Sequence, residues 1–182
     1  MMLPPERGAE PHLPVKTIVG VVKQALAGEL PPFARTLGLP QGAWRDVLEY
    51  CFPESAAWER IAEDERNIPR SFGGLADLMM AHRSSEADPC RALWLAHAIA
   101  AACHGERHLW QDLGLAGREE ASGLLAAHFG PLAARNTQNL KWKRFLFAEL
   151  GAALGKPGLR PPGCGKCDHL PICFPPEAAS GS

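Results

Sequence analysis

The amino-acid sequence predicts an all-α fold, in which a small, irregular helical domain is followed by an irregular, cysteine-rich metal-binding loop near the C-terminus. Ala and Leu dominate the chain and β-branched residues are scarce, a composition that favours helices over strands. Apolar side chains recur at helical spacing in several segments. With 182 residues, 46% of them hydrophobic, the chain is long enough to form one domain with its own core.

The chain divides into four parts by composition. We expect a disordered, Pro-rich tail over 1–14, a helical domain over 15–155, a cysteine-rich loop over 156–177 and a short tail over 178–182. The net charge of −1 gives no general indication of nucleic acid or a membrane surface as partner. Because the first fourteen residues contain no apolar run of the signal-peptide kind, we expect a cytoplasmic, reducing location.

Helices are predicted from apolar periodicity and from Gly and Pro stop signals. They cover Val15–Ala27, Gln41–Cys51, Ser55–Asn67, Ser71–Arg83, Pro89–His104 and Arg118–Phe129, with two further pieces between Leu132 and Leu154. The segment Pro89–His104 is apolar on nearly every face, with Asp88 at its N-cap position and Gly105 at its end. We therefore place this helix at the buried centre of the domain. Its apolar run is shorter than the roughly 18 residues that a membrane span needs.

Three of the six cysteines form a cluster with the spacing Cys164-x2-Cys167-x5-Cys173, in a Gly- and Pro-rich segment that argues against a helix or strand. The first two can reach one centre from a single tight turn, and the third can close the loop over it. The cluster therefore predicts a metal or iron–sulfur site. A disulfide is disfavoured because the clustered cysteines are odd in number and the expected location is reducing.

The residues leave the kind of metal site open. Zinc prefers four ligands, and only His169 or Asp168 lies beside the cysteines as a fourth. A structural zinc site of three cysteines and His169, which would serve folding or partner binding, is one alternative. An iron–sulfur cluster on three thiolates, with its fourth corner held otherwise, is the other. An electron-transfer cluster of an oxidoreductase is less favoured because no second cofactor site is found.

Further ligand candidates lie near the end of the central helix, namely Cys103, His104 and His108. Gly105 is expected to interrupt the helical register between the two histidines, so a hydrogen-bonded core or capping role competes with ligation. The isolated Cys51 and Cys90 occur at helical spacing and are predicted to pack as small hydrophobic residues rather than bind metal.

The segment that leads into the cysteines is locally basic. Between positions 135 and 166 the chain has one acidic residue, Glu149, and seven basic ones: Arg135, Lys141, Lys143, Arg144, Lys156, Arg160 and Lys166. A basic run of this kind can simply be a solvated surface. Beside a metal site it can also attract an oxyanion.

Four blocks of sequence along the C-terminal half resemble a known family. They are His108–Leu115, His128–Asn136, Asn139–Phe145 and Cys164–Glu177, in that order. On these blocks the chain resembles the NifQ family of nitrogen-fixation proteins. The resemblance implies a cytoplasmic, non-catalytic carrier of a molybdenum–iron–sulfur cluster. Such a carrier donates molybdenum for biosynthesis of the nitrogenase iron–molybdenum cofactor, with the scaffold and iron protein of cofactor assembly as partners.

The resemblance also implies a ligand set. Cys164, Cys167 and Cys173 match the last three cysteines of the family pattern C-x4-C-x2-C-x5-C, and the first cysteine of that pattern falls at Leu159. A cysteine common in the family near Ala152 is also missing. The fourth ligand, the stoichiometry of the cluster and the activity of this chain are therefore left open. The candidates for the fourth ligand are His104, His108, His169 and Cys103.

Overall fold

A computed structural model of the chain describes residues 12–53, 67–166 and 169–173. The α-helices in these ranges are α1 Leu13–Leu26, α2 Gln41–Cys51, α3 Arg70–Ala81, α4 Pro89–Ala102, α5 Leu109–Asp112, α6 Arg118–His128, α7 Gly130–Ala133, α8 Trp142–Ala153 and α9 Leu170–Cys173. Short 3-10 helices cover Pro32–Thr36 and Pro162–Lys166. No strand occurs among these described residues, which confirms the all-α prediction. No helix in the same ranges is long and apolar enough to cross a membrane.

Helix α4 lies at the centre of the core, as its apolar pattern predicts. Its N-cap residue Asp88 accepts a hydrogen bond of 2.9 Å from the backbone N–H of Arg91. Helices α1 and α3 pack against it, and α8 packs against α3. The helix ends at Ala102, two residues before the predicted end at His104. The chain tightens there, because the N–H groups of His104 and Gly105 bond to carbonyls three residues back.

Helix α1 begins at Leu13, two residues before the predicted start and within the predicted N-terminal tail. Pro14 lies in the first turn, where a backbone N–H has no acceptor within the helix, so the missing N–H of proline costs nothing there. The rest of the predicted tail, over 1–11, lies outside the described residues. The predicted helix Ser55–Asn67 also lies outside them, except for Asn67, which adopts a φ of 66°.

Helix α1 also fixes the position of α5, which follows His108 in the chain. A Cβ atom on Gly20 of α1 would lie 2.2 Å from the carbonyl oxygen of Leu113. Gly114, with a φ of 68°, approaches the same point from the other side. The two backbones can come this close only because both positions lack a side chain.

The cysteine-rich segment is more regular than the sequence suggests. It contains the 3-10 helix Pro162–Lys166 and the single turn α9, whereas the Gly and Pro content argued against helical structure. Pro162 and Pro171 each lie in the first turn of a helical element, where proline is tolerated because its fixed φ suits the helix. The backbone N–H of Cys173 bonds to the carbonyl of His169 at 3.0 Å.

Candidate metal centre

A cavity of about 410 Å³ lies between the cysteine-rich segment and one end of the helical domain. Its lining comes from the stretches 105–111 and 141–144, from Arg118 at the start of α6, and from four residues of the C-terminal segment: Pro161, Gly163, Cys164 and Cys173. Cys164 and Cys173 both line it, so the fold brings two of the three predicted ligands to one space. The third, Cys167, lies outside the described residues.

A close backbone approach positions Cys164. Its neighbour Gly163 lies against the turn after α4, where an added Cβ would be 3.0 Å from Cα of Glu106 and 3.2 Å from the carbonyl oxygen of Gly105. Any other residue would push the segment away from this turn. An ion pair of 2.6 Å between Lys166 Nζ and Glu106 Oε1 joins the same two stretches.

A second contact holds the other end of the cysteine segment. Lys141, the N-cap residue of α8, donates from Nζ to Nδ1 of His169 at 2.7 Å. His169 immediately precedes α9, which carries Cys173. The contact therefore ties the segment of Cys173 to the first turn of α8.

His108 is the histidine candidate that lines the cavity. Its ring centroid lies 6.4 Å from that of His169, and its backbone N–H donates to Gln111 Oε1 at 3.1 Å. Burial lowers the pKa of His108, and the positive charge of Lys141 lowers it further. A neutral imidazole can bind metal, whereas a protonated one cannot.

The other two candidates belong to the core. His104 is 7% exposed, and its Nδ1 donates to the carbonyl of Ala100 at 2.8 Å while Nε2 bonds to the Ser71 hydroxyl at 2.9 Å. His104 therefore has the hydrogen-bonded role in the core that was predicted as the alternative to metal ligation. Cys103 is fully buried, and burial raises its pKa to about 12. Neither side chain lines the cavity.

The isolated cysteines have different surroundings. Cys51 is buried in the core, as its spacing predicts, and burial raises its pKa to about 12. Cys90 is exposed, so the prediction that it packs as a hydrophobic residue is wrong. It lies in the first turn of α4, directly after the cap, where the helix has not yet entered the core.

The comparisons with known proteins identify the family. Residues 17–175 match the family model described as NifQ. The chain belongs to the NifQ family. Over 178 residues it is 32% identical to Protein NifQ of Rhodobacter capsulatus, with 93% of this chain and 94% of that relative aligned. Over 154 residues it is 34% identical to Protein NifQ of Azotobacter vinelandii, with 78% of each aligned.

A third NifQ relative differs in length. The chain is 36% identical to the Protein NifQ homolog of Sinorhizobium fredii over 141 residues, and it spans 60% of that relative's length. No solved structure matches the chain significantly. The match to the NifQ family extends well beyond the four C-terminal blocks, because it begins in α1 and includes the whole helical core.

One buried feature of this NifQ-family fold was missed by the sequence analysis. The carboxylate of Asp112 is fully buried and accepts from Lys143 Nζ at 2.6 Å and from Arg107 Nε at 2.9 Å. Lys143 also donates to the carbonyl oxygen of Gly105 at 2.8 Å. A charged residue between the apolar Trp110 and Leu113 was the signal available in the sequence. This network sets the distance between α5, α8 and the turn that carries His108.

The donors on the cavity wall fit a metal or cluster of the kind expected for the NifQ family. Thiolate and imidazole are donors that bind iron, and the wall carries two thiols and one imidazole. Within the described ranges, no three Cys, His, Asp or Glu side chains form a group that could hold a metal ion. Because Cys167 lies outside these ranges, the three-cysteine ligand set itself stays a prediction.

Proposed function

We propose that this chain carries a molybdenum–iron–sulfur cluster on Cys164, Cys167 and Cys173. In this proposal it donates molybdenum for biosynthesis of the nitrogenase iron–molybdenum cofactor. Membership of the NifQ family supports a role in nitrogenase cofactor biosynthesis. The observation that carries the finer proposal is the position of Cys164 and Cys173 on the wall of one cavity.

The chemistry of the wall supports reversible binding. Thiolates bind the iron of such a cluster, and three thiolates leave one corner without a cysteine ligand. His108, kept neutral by burial and by its cationic neighbours, is a donor within the same cavity. A corner held by imidazole or water exchanges more readily than one held by a fourth thiolate, which suits a protein that passes its metal on.

This role requires no catalytic step by the chain. We propose that it acts in the cytoplasm and delivers its cargo to the scaffold and iron protein of nitrogenase cofactor assembly, without nucleic acid or a membrane as partner. Positively charged side chains around the thiols should stabilise the bound cluster, because iron–sulfur clusters on thiolates carry net negative charge.

The test is the metal content of protein purified without oxygen. We expect iron, sulfide and molybdenum together, with visible iron–sulfur absorbance. Single Cys→Ala changes at Cys164, Cys167 or Cys173 should abolish that absorbance, because each removes a thiolate. Cys90→Ala is the matched control, since Cys90 is an exposed cysteine outside the cavity, and it should keep the absorbance.

Two outcomes would contradict the proposal. One zinc ion per chain, without iron, would favour the structural site of three cysteines and His169. Equal loss of absorbance in Cys90→Ala and in the cluster variants would show that the cavity cysteines have no special role. Cys51→Ala is a second control, since Cys51 is buried away from the cavity and its thiol is protonated at neutral pH.

A further inference from the structure

The first turn of α8 forms one wall of the cavity beside the cysteine segment. Lys141, Trp142, Lys143 and Arg144 all line the cavity, and Arg118 lines it from the start of α6. With Arg107, the described lining holds five Lys and Arg side chains and one carboxylate, that of Glu106. The cavity is therefore strongly cationic.

Local contacts neutralise only part of this charge. Arg107 and Lys143 share the buried carboxylate of Asp112, and Glu106 pairs with Lys166. The hydrogen bonds of Arg118 and Lys141 described here involve no carboxylate.

The hydrogen bonds of these two side chains go to acceptors other than carboxylates. Nη2 of Arg118 donates to the side-chain oxygen of Asn139 at 2.7 Å and to the carbonyl of Leu140 at 3.0 Å. Lys141 donates to the imidazole of His169. Both cations therefore keep their positive charge at the cavity. The first turn of α8 adds to it, because no side-chain hydrogen bond caps its N-terminus.

We propose that this wall, with Arg118 and Lys141 as its anion-binding groups, binds a tetrahedral dianion of the molybdate class. The cavity would then take up molybdenum as its oxyanion, next to the thiols of Cys164 and Cys173. Guanidinium and ammonium groups bind tetrahedral oxyanions through charge-assisted hydrogen bonds, and Arg offers paired donors for two oxygens at once. The identity of the anion rests on the proposed function, whereas the site itself rests on the cavity and its charge.

The test is molybdate binding to the full chain in its cluster-free form, measured by equilibrium dialysis with molybdenum counted by mass spectrometry. The wild-type chain should bind one molybdate. Lys141→Gln and Arg118→Gln should each raise the Kd about tenfold, because each removes one charge-assisted contact. Lys141→Arg should restore binding, since it keeps the charge.

Matched controls exclude a general effect of surface charge. Lys156→Gln and Arg35→Gln remove exposed cations that do not line the cavity, and they should leave the Kd within about twofold of wild type, as expected for screened surface charges. Sulfate should compete with molybdate because it has the same charge and shape. Chloride at equal ionic strength should weaken binding only by screening. A Kd equally affected by cavity and control variants would overturn the proposal.

A cysteine variant separates this inference from the proposed function. Cys164→Ala with Cys173→Ala should lose the iron–sulfur cluster and still bind molybdate, since the anion site uses cationic side chains. If this double variant lost molybdate binding while Lys141→Gln retained it, the anion would be held by thiols and the oxyanion site would be rejected. If the wild-type chain bound molybdate but never iron, the cluster proposal would fail and the oxyanion site would stand.

Discussion

His104 acts as a neutral hydrogen-bonding group in the core. Both of its ring nitrogens have partners, the carbonyl of Ala100 and the hydroxyl of Ser71. Burial lowers its pKa, and the positive charge of Lys143 lowers it further. His97 is similar, because its Nδ1 bonds to the carbonyl of Leu37 at 3.1 Å and burial again lowers its pKa. Both imidazoles therefore act as neutral hydrogen-bonding groups of the helical domain.

The lowered pKa of His104 predicts a loss of stability in acid. As the pH falls below the ordinary histidine value of 6.5, the unfolded chain binds a proton that the folded chain does not. The free energy of unfolding should then decrease by up to about 1.4 kcal/mol per pH unit from this one group. Urea unfolding at about pH 7.5 and about pH 5 should show a smaller pH-dependent loss for His104→Gln than for wild type. Parallel losses would contradict this account.

The cysteines show what sequence could and could not predict for single residues. The spacing of Cys51 on an apolar stripe placed it correctly in the core, and the clustering of the C-terminal cysteines separated them from the isolated ones. The exposure of Cys90 was not predicted. Its position in the periodic pattern says which face it lies on, whereas exposure also depends on how far the first turn of α4 projects beyond its neighbours.

At the scale of the elements, Asp112 joins parts of the chain that are distant in sequence. Its carboxylate links α5 to Lys143 in the first turn of α8, and Arg107 connects the same network to Gln24 of α1 at 2.9 Å. A buried carboxylate of this kind is tolerated because two cations and a backbone N–H surround it. The network holds the cavity wall in place.

Lys143→Met should lower the free energy of unfolding by about 3 kcal/mol, because it leaves the fully buried Asp112 with one cationic partner. The matched control is Lys16→Met, which breaks the partly exposed ion pair with Glu120 and should cost much less, because solvent screens that pair. Urea unfolding of cluster-free protein measures both values. Equal costs for the two substitutions would show that burial adds nothing to the Asp112 network.

The longer helices were predictable and the shorter ones were not. Helices α2, α4 and α6 agree closely with their predicted ranges, because two or more turns of apolar periodicity define them and Asp88 caps α4. Single turns such as α5 and α9 have no such signal. A turn of four residues is unstable by itself, so it forms only where tertiary contacts hold it, and those contacts come from residues far away in the sequence.

For the whole molecule, the cavity exists because the C-terminal segment folds back over the end of the helical domain. The sequence predicted the cysteine cluster but left open whether it would meet His104 or His108. His108 lines the cavity beside Cys164 and Cys173, whereas His104 lies in the core. Lys166 and Glu106, which help to hold the segment, are 76% and 65% exposed. Exposed ion pairs contribute little stability, so this pair alone adds little to holding the segment in place.

Leu159 offers a test, at the scale of the whole molecule, of how tightly the proposed cluster is held. The family pattern places a cysteine at this position, whereas here a partly buried leucine packs against the core beside Gly151 of α8. Leu159→Cys should increase the iron bound per chain and slow its removal by a chelator, because a fourth thiolate protects the open corner. Both quantities are measured under anaerobic conditions after reconstitution.

Leu159→Ala is the matched control for this experiment, since it removes the same apolar contact without adding a thiol. It should hold no more iron than wild type, so that a gain in Leu159→Cys reports ligation and not a change in packing. If Leu159→Cys and wild type lost iron at the same rate, another residue would already complete the site. His108 on the cavity wall and His169 beside it would then be the residues to replace, and the variant that loses iron faster would identify the fourth ligand.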